Sequence, residues 1–189
     1  LTNGDVLIRV SDNGAILEWG TELQSMRSQD YYAPRLQPYM GRVEYYGPES
    51  DSVFRGKIKS IGTAAITYYG AYETPEKIGK LRSIGATIFD YFSKYDDQAL
   101  RGKIRFAGTL PLEYYSSFEN EAFRGKLKAV GNSAITYYSS FDDKMIRGKI
   151  KSIGPISYSW YTSLDVGRGG SLKSGTYRQS IGGVTYILQ

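Results

Sequence analysis

Residues 55–73 read RGKIKSIGTAAITYYGAYE, and residues 124–142 read RGKLKAVGNSAITYYSSFD. The two stretches are versions of one pattern, and the spacing between them is 124 − 55 = 69 = 3 × 23 residues. A fixed internal spacing of this kind indicates a repeat architecture. The repeat has to be identified first, because the rest of the fold prediction depends on it. We call each 23-residue instance a copy. Two uninterrupted glycine series mark the copies: Gly56, Gly79, Gly102, Gly125 and Gly148, and Gly62, Gly85, Gly108, Gly131 and Gly154.

Within a copy, residues alternate with the period of a β-strand. Ile66 and Tyr68 share one parity, while Thr67 and Tyr69 share the other. β-Branched and aromatic residues dominate these stretches, and apolar stripes with the helical period are missing. Each copy is therefore predicted to supply two short strands, which are joined by a turn at the second glycine and by an acidic loop after Tyr69.

One residue of the copy departs from the alternation. Ile61 has the parity of Lys59, although the first is apolar and the second is charged. A single extra residue in one strand produces such a change of parity. We therefore predict a β-bulge or a local twist just before Gly62.

The fold class that follows is all-β, with tandem 23-residue two-strand repeats. An antiparallel meander and a β-solenoid are both compatible with the spacing. The acidic turns at 95–98, 118–121 and 141–144 look like hairpin loops, which favours the meander. In architecture alone, such a sheet resembles bacterial surface proteins built from β-repeats. No regular helix is expected, apart from one turn within residues 21–40.

The two ends of the chain differ from the repeat. Asp12-Asn13-Gly14 is the strongest hairpin signal in the sequence, and it lies between the strand-like stretches 6–10 and 15–19. Residues 21–40 contain Pro34 and Pro38 and are predicted to form a loop or a covering segment. End segments of repeat arrays need such caps, because an exposed sheet edge invites pairing with another chain. The predicted organisation is an N-terminal hairpin and capping segment (1–40), a tandem β-repeat array (41–165), and a Gly-rich insertion with C-terminal capping strands (166–189).

Composition narrows the classes of function. The 189 residues include no cysteine and no histidine, which excludes disulfides, thiolate chemistry and the commonest general base and zinc ligand. The net charge of +5 is compatible with an anionic partner but does not require one. No apolar run is long enough to span a membrane. Because the chain begins at Leu1, we expect a mature bacterial protein that is secreted, periplasmic or on the cell surface.

Two residue series form the predicted binding surface. A basic series recurs at the residue after each first glycine, and a second basic residue follows two positions later. By parity, the basic series shares a sheet face with an aromatic series, which would suit an anionic polymer or the stacking of bases or sugars. The alternative is that the lysines only solubilise an exposed sheet. The members are Lys57, Lys80, Lys103, Lys126 and Lys149 (the lysine series), and Tyr69, Phe92, Tyr115, Tyr138 and Tyr161 (the Tyr69 series).

The opposite parity carries the predicted core. An open aromatic platform for carbohydrate is the alternative, if nothing covers this face. The residues are Ile66, Phe89, Leu112, Ile135 and Tyr158, followed two positions later by Tyr68, Tyr91, Tyr114, Tyr137 and Trp160 (the Tyr68 series).

Acidic residues recur once per copy, with a second acid adjacent at Asp97 and Asp143. Paired carboxylates can bind calcium or act as acid and base. A site used once has no reason to recur in every copy, whereas turn chemistry does, so these acids are predicted to be turn residues. The series is Glu73, Asp96, Glu119, Asp142 and Asp165.

The sequence therefore predicts a non-catalytic, exported β-repeat module that binds or structures an anionic or carbohydrate polymer. No catalytic residue, metal site or cofactor is expected, and the oligomeric state is left open. The alternative is a nucleic-acid-binding protein that uses the basic aromatic face. A cofactor-free carboxylate glycosidase is the least favoured hypothesis, because no unique pair of acids stands apart from the repeat.

Overall fold

The computed structural model describes residues 2–3, 6–22 and 36–188. These residues form an all-β structure without helix, as predicted. Within them, accordingly, no helix is long and apolar enough to cross a membrane. The helical turn and covering segment predicted within 21–40 fall mostly on 23–35, outside the described residues.

The central element is an antiparallel meander of eleven strands in strict sequence order. Every connection between neighbouring strands is a hairpin, so the meander is confirmed and the β-solenoid is wrong. The first strands of successive hairpins begin at residues 58, 81, 104, 127 and 150. The strands are β5 (Val43–Tyr45), β6 (Ile58–Ile61), β7 (Ala64–Tyr68), β8 (Leu81–Ile84), β9 (Thr87–Tyr91), β10 (Ile104–Ala107), β11 (Leu110–Tyr114), β12 (Leu127–Val130), β13 (Ser133–Tyr137), β14 (Ile150–Ile153) and β15 (Ile156–Ser157).

Smaller sheets come before and after the meander. The predicted hairpin at 12–14 is confirmed, because Val10 pairs with Ile16 and Gly14 has a φ of 84°. It belongs to a four-stranded sheet of β1 (Thr2–Asn3), β2 (Val6–Val10), β3 (Ile16–Glu22) and β4 (Leu36–Gln37). Two further antiparallel pairs follow the meander: β16 (Ser159–Trp160) with β17 (Leu172–Ser174), and β18 (Arg178–Ile181) with β19 (Val184–Ile187).

The tight turns of the meander depend on glycine. Ile61 pairs with Ala64, so only Gly62 and Thr63 connect β6 to β7. Gly62 has a φ of 56°, in the left-handed region where a side chain is strained. The predicted turn at the second glycine of the copy is therefore present.

A β-bulge interrupts the pairing at the second basic residue of the copy. In β5–β6, Glu44 pairs with Ser60 and Tyr45 pairs with Ile58, so Lys59 is the extra residue. The corresponding register shifts occur in four further strand pairs of the meander. Because the bulge changes the parity, Ile58 and Ile61 can both be buried, at 7% and 1% exposure. The predicted bulge is therefore present, but it lies at Lys59, three residues before Gly62, and not immediately before the glycine.

The core follows the predicted inward parity. Ile66, Phe89, Ile135 and Tyr158 are at most 3% exposed, and Leu112 is half-buried. In the Tyr68 series, Tyr91 and Tyr114 are buried and the other members are half-buried. These rings are therefore core residues rather than an open platform.

The described residues divide into two compact units. The division passes through β11, between Leu110 and Pro111. The first compact unit contains 2–3, 6–22, 36–96 and 101–110, and the second contains 97–100 and 111–188.

Candidate functional site

The lysine series forms hydrogen bonds inside each compact unit. Lys57 donates a hydrogen bond to the carbonyl oxygen of Gly79, and Lys80 donates one to that of Gly102. In the second compact unit, Lys126 Nζ lies 2.6 Å from the carbonyl oxygen of Gly148. Each of these amines therefore links one copy to the next through a backbone acceptor 22 residues ahead.

Aromatic rings lie beneath the same amines. The Nζ atoms of Lys57, Lys80 and Lys126 lie 4.9–5.3 Å from ring centroids of the Tyr68 series, and Lys149 Nζ lies 4.5 Å from the ring of Trp160. A ring face attracts a cation, so these contacts favour the charged amine. The rings are those of Tyr68, Tyr91, Tyr137 and Trp160.

The face assigned to the lysine series is therefore wrong. Lys57 contacts the Tyr68 series, whereas parity placed it with the Tyr69 series. Lys57 lies in the turn before β6, and Tyr69 lies one residue beyond the end of β7. Alternation governs side chains only inside a strand, so it does not extend to either residue.

The amines of this series are partly withdrawn from water. Burial lowers the pKa of Lys57, Lys80 and Lys126, although the nearby carboxylates of Glu76 and Asp12 raise that of Lys80. Lys103 forms an ion pair of 2.6 Å with Asp12 of the N-terminal hairpin. The lysine series therefore has mainly a structural role, and its role as a cationic surface is secondary.

The Tyr69 series is also built into the sheet. Tyr69 is 9% exposed, and its hydroxyl donates to the carbonyl oxygen of Phe89 at 2.7 Å. Equivalent bonds of 2.9 and 3.0 Å run from Tyr115 to Ile135 and from Tyr138 to Tyr158. Phe92 occupies the same position without a hydroxyl, and Tyr161 is half-buried near Arg168 and Lys173. None of these rings is an open stacking platform.

A series of exposed cations lies at the bulges. Each second basic residue is exposed, and four of them lie 5.6–5.8 Å from a ring centroid of the Tyr69 series. The acidic residues of neighbouring strands compensate only in part, since Asp90 already forms a 2.6 Å ion pair with Lys77. These bulge cations are Lys59, Arg82, Arg105, Lys128 and Lys151.

Three of the five recurring acids form hydrogen bonds within their loops, as predicted for turn residues. Asp96 Oδ2 accepts hydrogen bonds from the backbone nitrogen and the hydroxyl of Ser93, at 2.7 and 2.8 Å. Asp142 makes the same pair of bonds with Ser139, and Asp165 makes it with Thr162. These bonds lower the pKa of Asp96 and Asp165, because they favour the ionised carboxyl.

The residue after the first acid links successive loops. Asp97 Oδ1 accepts from the backbone nitrogens of Ala99, in its own loop, and Ser117, in the next, at 2.8 and 2.9 Å. Asn120 bridges to Ser140 in the same way, and Asp143 bridges to Ser163. We call these three contacts the loop staples. No group of acids in the described part of the chain has the arrangement of a metal site.

The loop tips carry a series that the sequence reasoning did not single out. One large apolar side chain per copy projects from the loop, at 88–103% exposure. The signal was present in the sequence, because turn positions favour small and polar residues and these are neither. The tip series is Tyr72, Tyr95, Phe118, Phe141 and Leu164.

A cavity of about 470 Å³ lies in the first compact unit, beneath the N-terminal hairpin. Residues 13–16 form one wall, and Lys57, Tyr68 and Lys80 form the other. Its amines are those already bonded to glycine carbonyls, so the cavity adds no unpaired charge.

Comparison with known proteins gives no assignment: no protein-family model, curated protein or solved structure matches this chain.

Proposed function

We propose that this chain is a non-catalytic, exported binding module of tandem 23-residue two-strand repeats with modified caps. In this proposal it acts at the bacterial cell surface or in the periplasm and contacts an anionic polymer. The bulge cations make the contact, because each copy presents one exposed basic side chain at the same point of the strand. That recurrence is the observation that supports the proposal.

An acidic polysaccharide is favoured over a nucleic acid. Single-stranded nucleic acids gain much of their affinity from bases stacked on open aromatic faces. The rings beside the bulge cations are buried or half-buried, and their hydroxyls are used by the sheet. The cations can therefore neutralise charged groups along a chain, whereas the rings offer little open area to a base.

A glycosidase is disfavoured by the state of the loop acids. A general acid needs a raised pKa so that it still carries a proton near neutral pH. Asp96, Asp143 and Asp165 have lowered pKa values instead, because hydrogen-bond donors surround their carboxylates. These residues remain ionised and serve the loops.

Charge reversal at the bulges tests the proposal. The variant Lys59→Glu/Arg82→Glu/Arg105→Glu alters three exposed cations of the first compact unit. The matched control reverses Arg55, Lys94 and Arg101, which are exposed in the same unit and give the same change in net charge. We expect the parent and the control to bind heparin at low salt and to elute as salt rises, and the bulge variant to elute much earlier.

Three outcomes would contradict the proposal. Equal shifts in the bulge variant and the control would mean that net charge alone drives retention. Failure of the parent to bind heparin, alginate or polygalacturonate would mean that the ligand is not an anionic polymer. Tighter binding of the parent to single-stranded DNA than to these polysaccharides would favour the nucleic-acid alternative.

A further inference from the structure

The tip series is unusual for its regularity rather than for its exposure. Single exposed apolar side chains are common on soluble proteins and need no explanation. Here Phe118 and Phe141 are 95% and 93% exposed at the same position of successive loops, and Leu164 follows at 89%. All three belong to the second compact unit, and Tyr72 and Tyr95 occupy the same position in the first. Turn chemistry does not account for a large apolar residue at this point of every loop.

The loop staples hold the tips in place. The residue before each tip is bonded to the preceding loop: Ser117 to Asp97, Ser140 to Asn120, and Ser163 to Asp143, at 2.9–3.0 Å between backbone nitrogen and side-chain oxygen. A further contact of 3.3 Å joins the backbone nitrogen of Phe141 to the hydroxyl of Ser139. A ligand that binds the tips therefore need not order the loop backbone, which is a large part of the cost of binding to loops.

The spacing of the tips indicates a linear polymer. Successive tips are separated by two strands, and strands lie 4.7–4.9 Å apart, so the loop backbones repeat at roughly 10 Å. This distance is similar to the length of one disaccharide in an extended β-linked glycan. The apolar faces of such sugars present C–H groups, which pack against the electron-rich face of an aromatic ring.

The charge beside the tips selects a neutral chain. An acid directly follows each tip in the second compact unit: Glu119, Asp142 and Asp165. These carboxylates can accept hydrogen bonds from sugar hydroxyls, and cations of the same loops, such as Arg147, which donates to the carbonyl oxygen of Asp142, balance their charge. A surface of mixed charge gives a polyanion less attraction than a basic surface would. We propose that Phe118 and Phe141, with Leu164, form a second binding surface, which holds a neutral β-linked polysaccharide by stacking one sugar on each ring.

Removal of the rings tests this surface. The variant is Phe118→Ser/Phe141→Ser, and the control is Met40→Ser/Val166→Ser, which removes two apolar side chains outside the tip series that are 93% and 97% exposed. Both variants should unfold at the denaturant concentration of the parent, because the tip rings bury almost no area. The probes are cellobiose to cellohexaose in titration calorimetry, and soluble β-glucan, xylan and glycol chitin in affinity gels.

We expect at least one of these neutral glycans to bind the parent, with affinity that rises from the disaccharide to the hexasaccharide as more tips are engaged. Binding should persist in about 0.5 M salt, where electrostatic contacts are screened. Loss of the two rings should weaken it at least about tenfold, as expected for the loss of stacking contacts. The control should bind like the parent.

Three results would overturn the proposal: no neutral glycan binds the parent, the ring variant binds as well as the parent, or zwitterionic lipid vesicles or single-stranded DNA compete for the same rings more strongly than glycans do. The test is independent of the proposed anionic-polymer function. The ring variant retains all bulge cations, so its elution from heparin reports on that function separately.

Discussion

Lys80 and Gly102 constrain each other across 22 residues. The amine of Lys80 donates a hydrogen bond to the carbonyl oxygen of Gly102, and a Cβ atom built on Gly102 would lie 2.6 Å from that same nitrogen. Gly148 stands in the same relation to Lys126, with a separation of 2.7 Å. A side chain at either glycine would therefore displace the lysine that the glycine's own carbonyl binds.

The contribution of the lysine is measurable with Lys80→Met, which retains most of the stem and removes the charge. The hydrogen bond to Gly102 and the ring of Tyr91 favour the charged amine, while partial burial opposes it. We expect a loss of about 1 kcal/mol in the free energy of unfolding, because these opposing effects partly cancel. Urea titration measures it, with Lys59→Met at the exposed bulge as the control. Equal stability of the two variants would mean that the contacts of Lys80 do not contribute to the free energy of unfolding.

The glycine provides a second test. Gly102→Ala and Gly56→Ala both place a side chain at positive φ, at 71° and 77°, which costs about 1 kcal/mol in each case. Only Gly102 has an amine near the new Cβ, since nothing lies within 4 Å of it at Gly56. Gly102→Ala should therefore be the more destabilising of the two by urea titration. In a double-mutant cycle, that excess should shrink when Lys80→Met is present; an additive result would mean that the clash does not occur.

The tyrosine hydroxyls should each stabilise the sheet modestly. Tyr115→Phe removes the 2.9 Å bond to the carbonyl oxygen of Ile135 and retains the ring. We expect a loss of about 1 kcal/mol, the usual contribution of such a bond. Thermal unfolding measures it, and Tyr95→Phe, which changes an exposed tip, is the control. If both variants melt together, the hydroxyl bond is replaced by water at no cost.

The loop staples predict which side chains can replace Asn120. Asn120 accepts bonds from the backbone nitrogens of Ala122 and Ser140 and donates one to the Ser140 hydroxyl. Asp97 and Asp143 fill the same position with the hydroxyl donating instead. Asn120→Asp should therefore leave stability almost unchanged, whereas Asn120→Ala should lose about 1–2 kcal/mol. Chemical denaturation compares them with the exposed control Glu121→Ala; an aspartate as damaging as alanine would mean that the staple needs the amide.

Stability should fall in acid because of the loop carboxylates. The pKa values of Asp96, Asp143 and Asp165 are lowered in the folded chain, so the unfolded chain takes up protons first, near pH 3.9. Their contribution is present above that pH and is lost as the pH falls through the folded values.

We expect the urea midpoint to drop between about pH 5 and pH 2. The triple variant of these residues to Asn, which retains the acceptors, should flatten the dependence. Changing the exposed acids Glu49, Glu73 and Glu121 to Gln provides the charge-matched control. The same flattening in that control would assign the effect to net charge.

Much of the fold could be predicted from local signals. Alternation around Ile66 predicted the strands, the glycine at 62 predicted the turn, and the parity of Ile61 predicted the bulge. The same reasoning assigned the wrong face to Lys57, because that residue lies just outside β6, where the pleat no longer directs side chains. The hydrogen bonds of the lysine series join residues 22 positions apart, and no local sequence pattern indicates them. These bonds could therefore not be predicted.

The two candidate surfaces could likewise be predicted only in part from the sequence. The bulge cations could be found from the sequence, since the second basic residue recurs visibly at Lys59 and Arg82. Their exposure, in contrast to that of Lys57, depends on the bulge and on the contacts of the meander. The tip series also recurs in the sequence, but only the structure shows that Phe118 and Phe141 are left exposed by the residues it describes.

The hydrogen bonds that the Tyr69 series and the lysine series donate to backbone carbonyls have the same sense along the chain. Tyr138 gives its proton to Tyr158, and Lys57 gives one to Gly79, each close to one copy further on. An interior copy with this pattern supplies one phenol and one amine and receives one of each on its own carbonyls. Unequal recombination between coding segments of such similar sequence adds or deletes whole copies, and the balance of donors and acceptors survives each event. The length of this chain is therefore open to evolutionary change in steps of one copy.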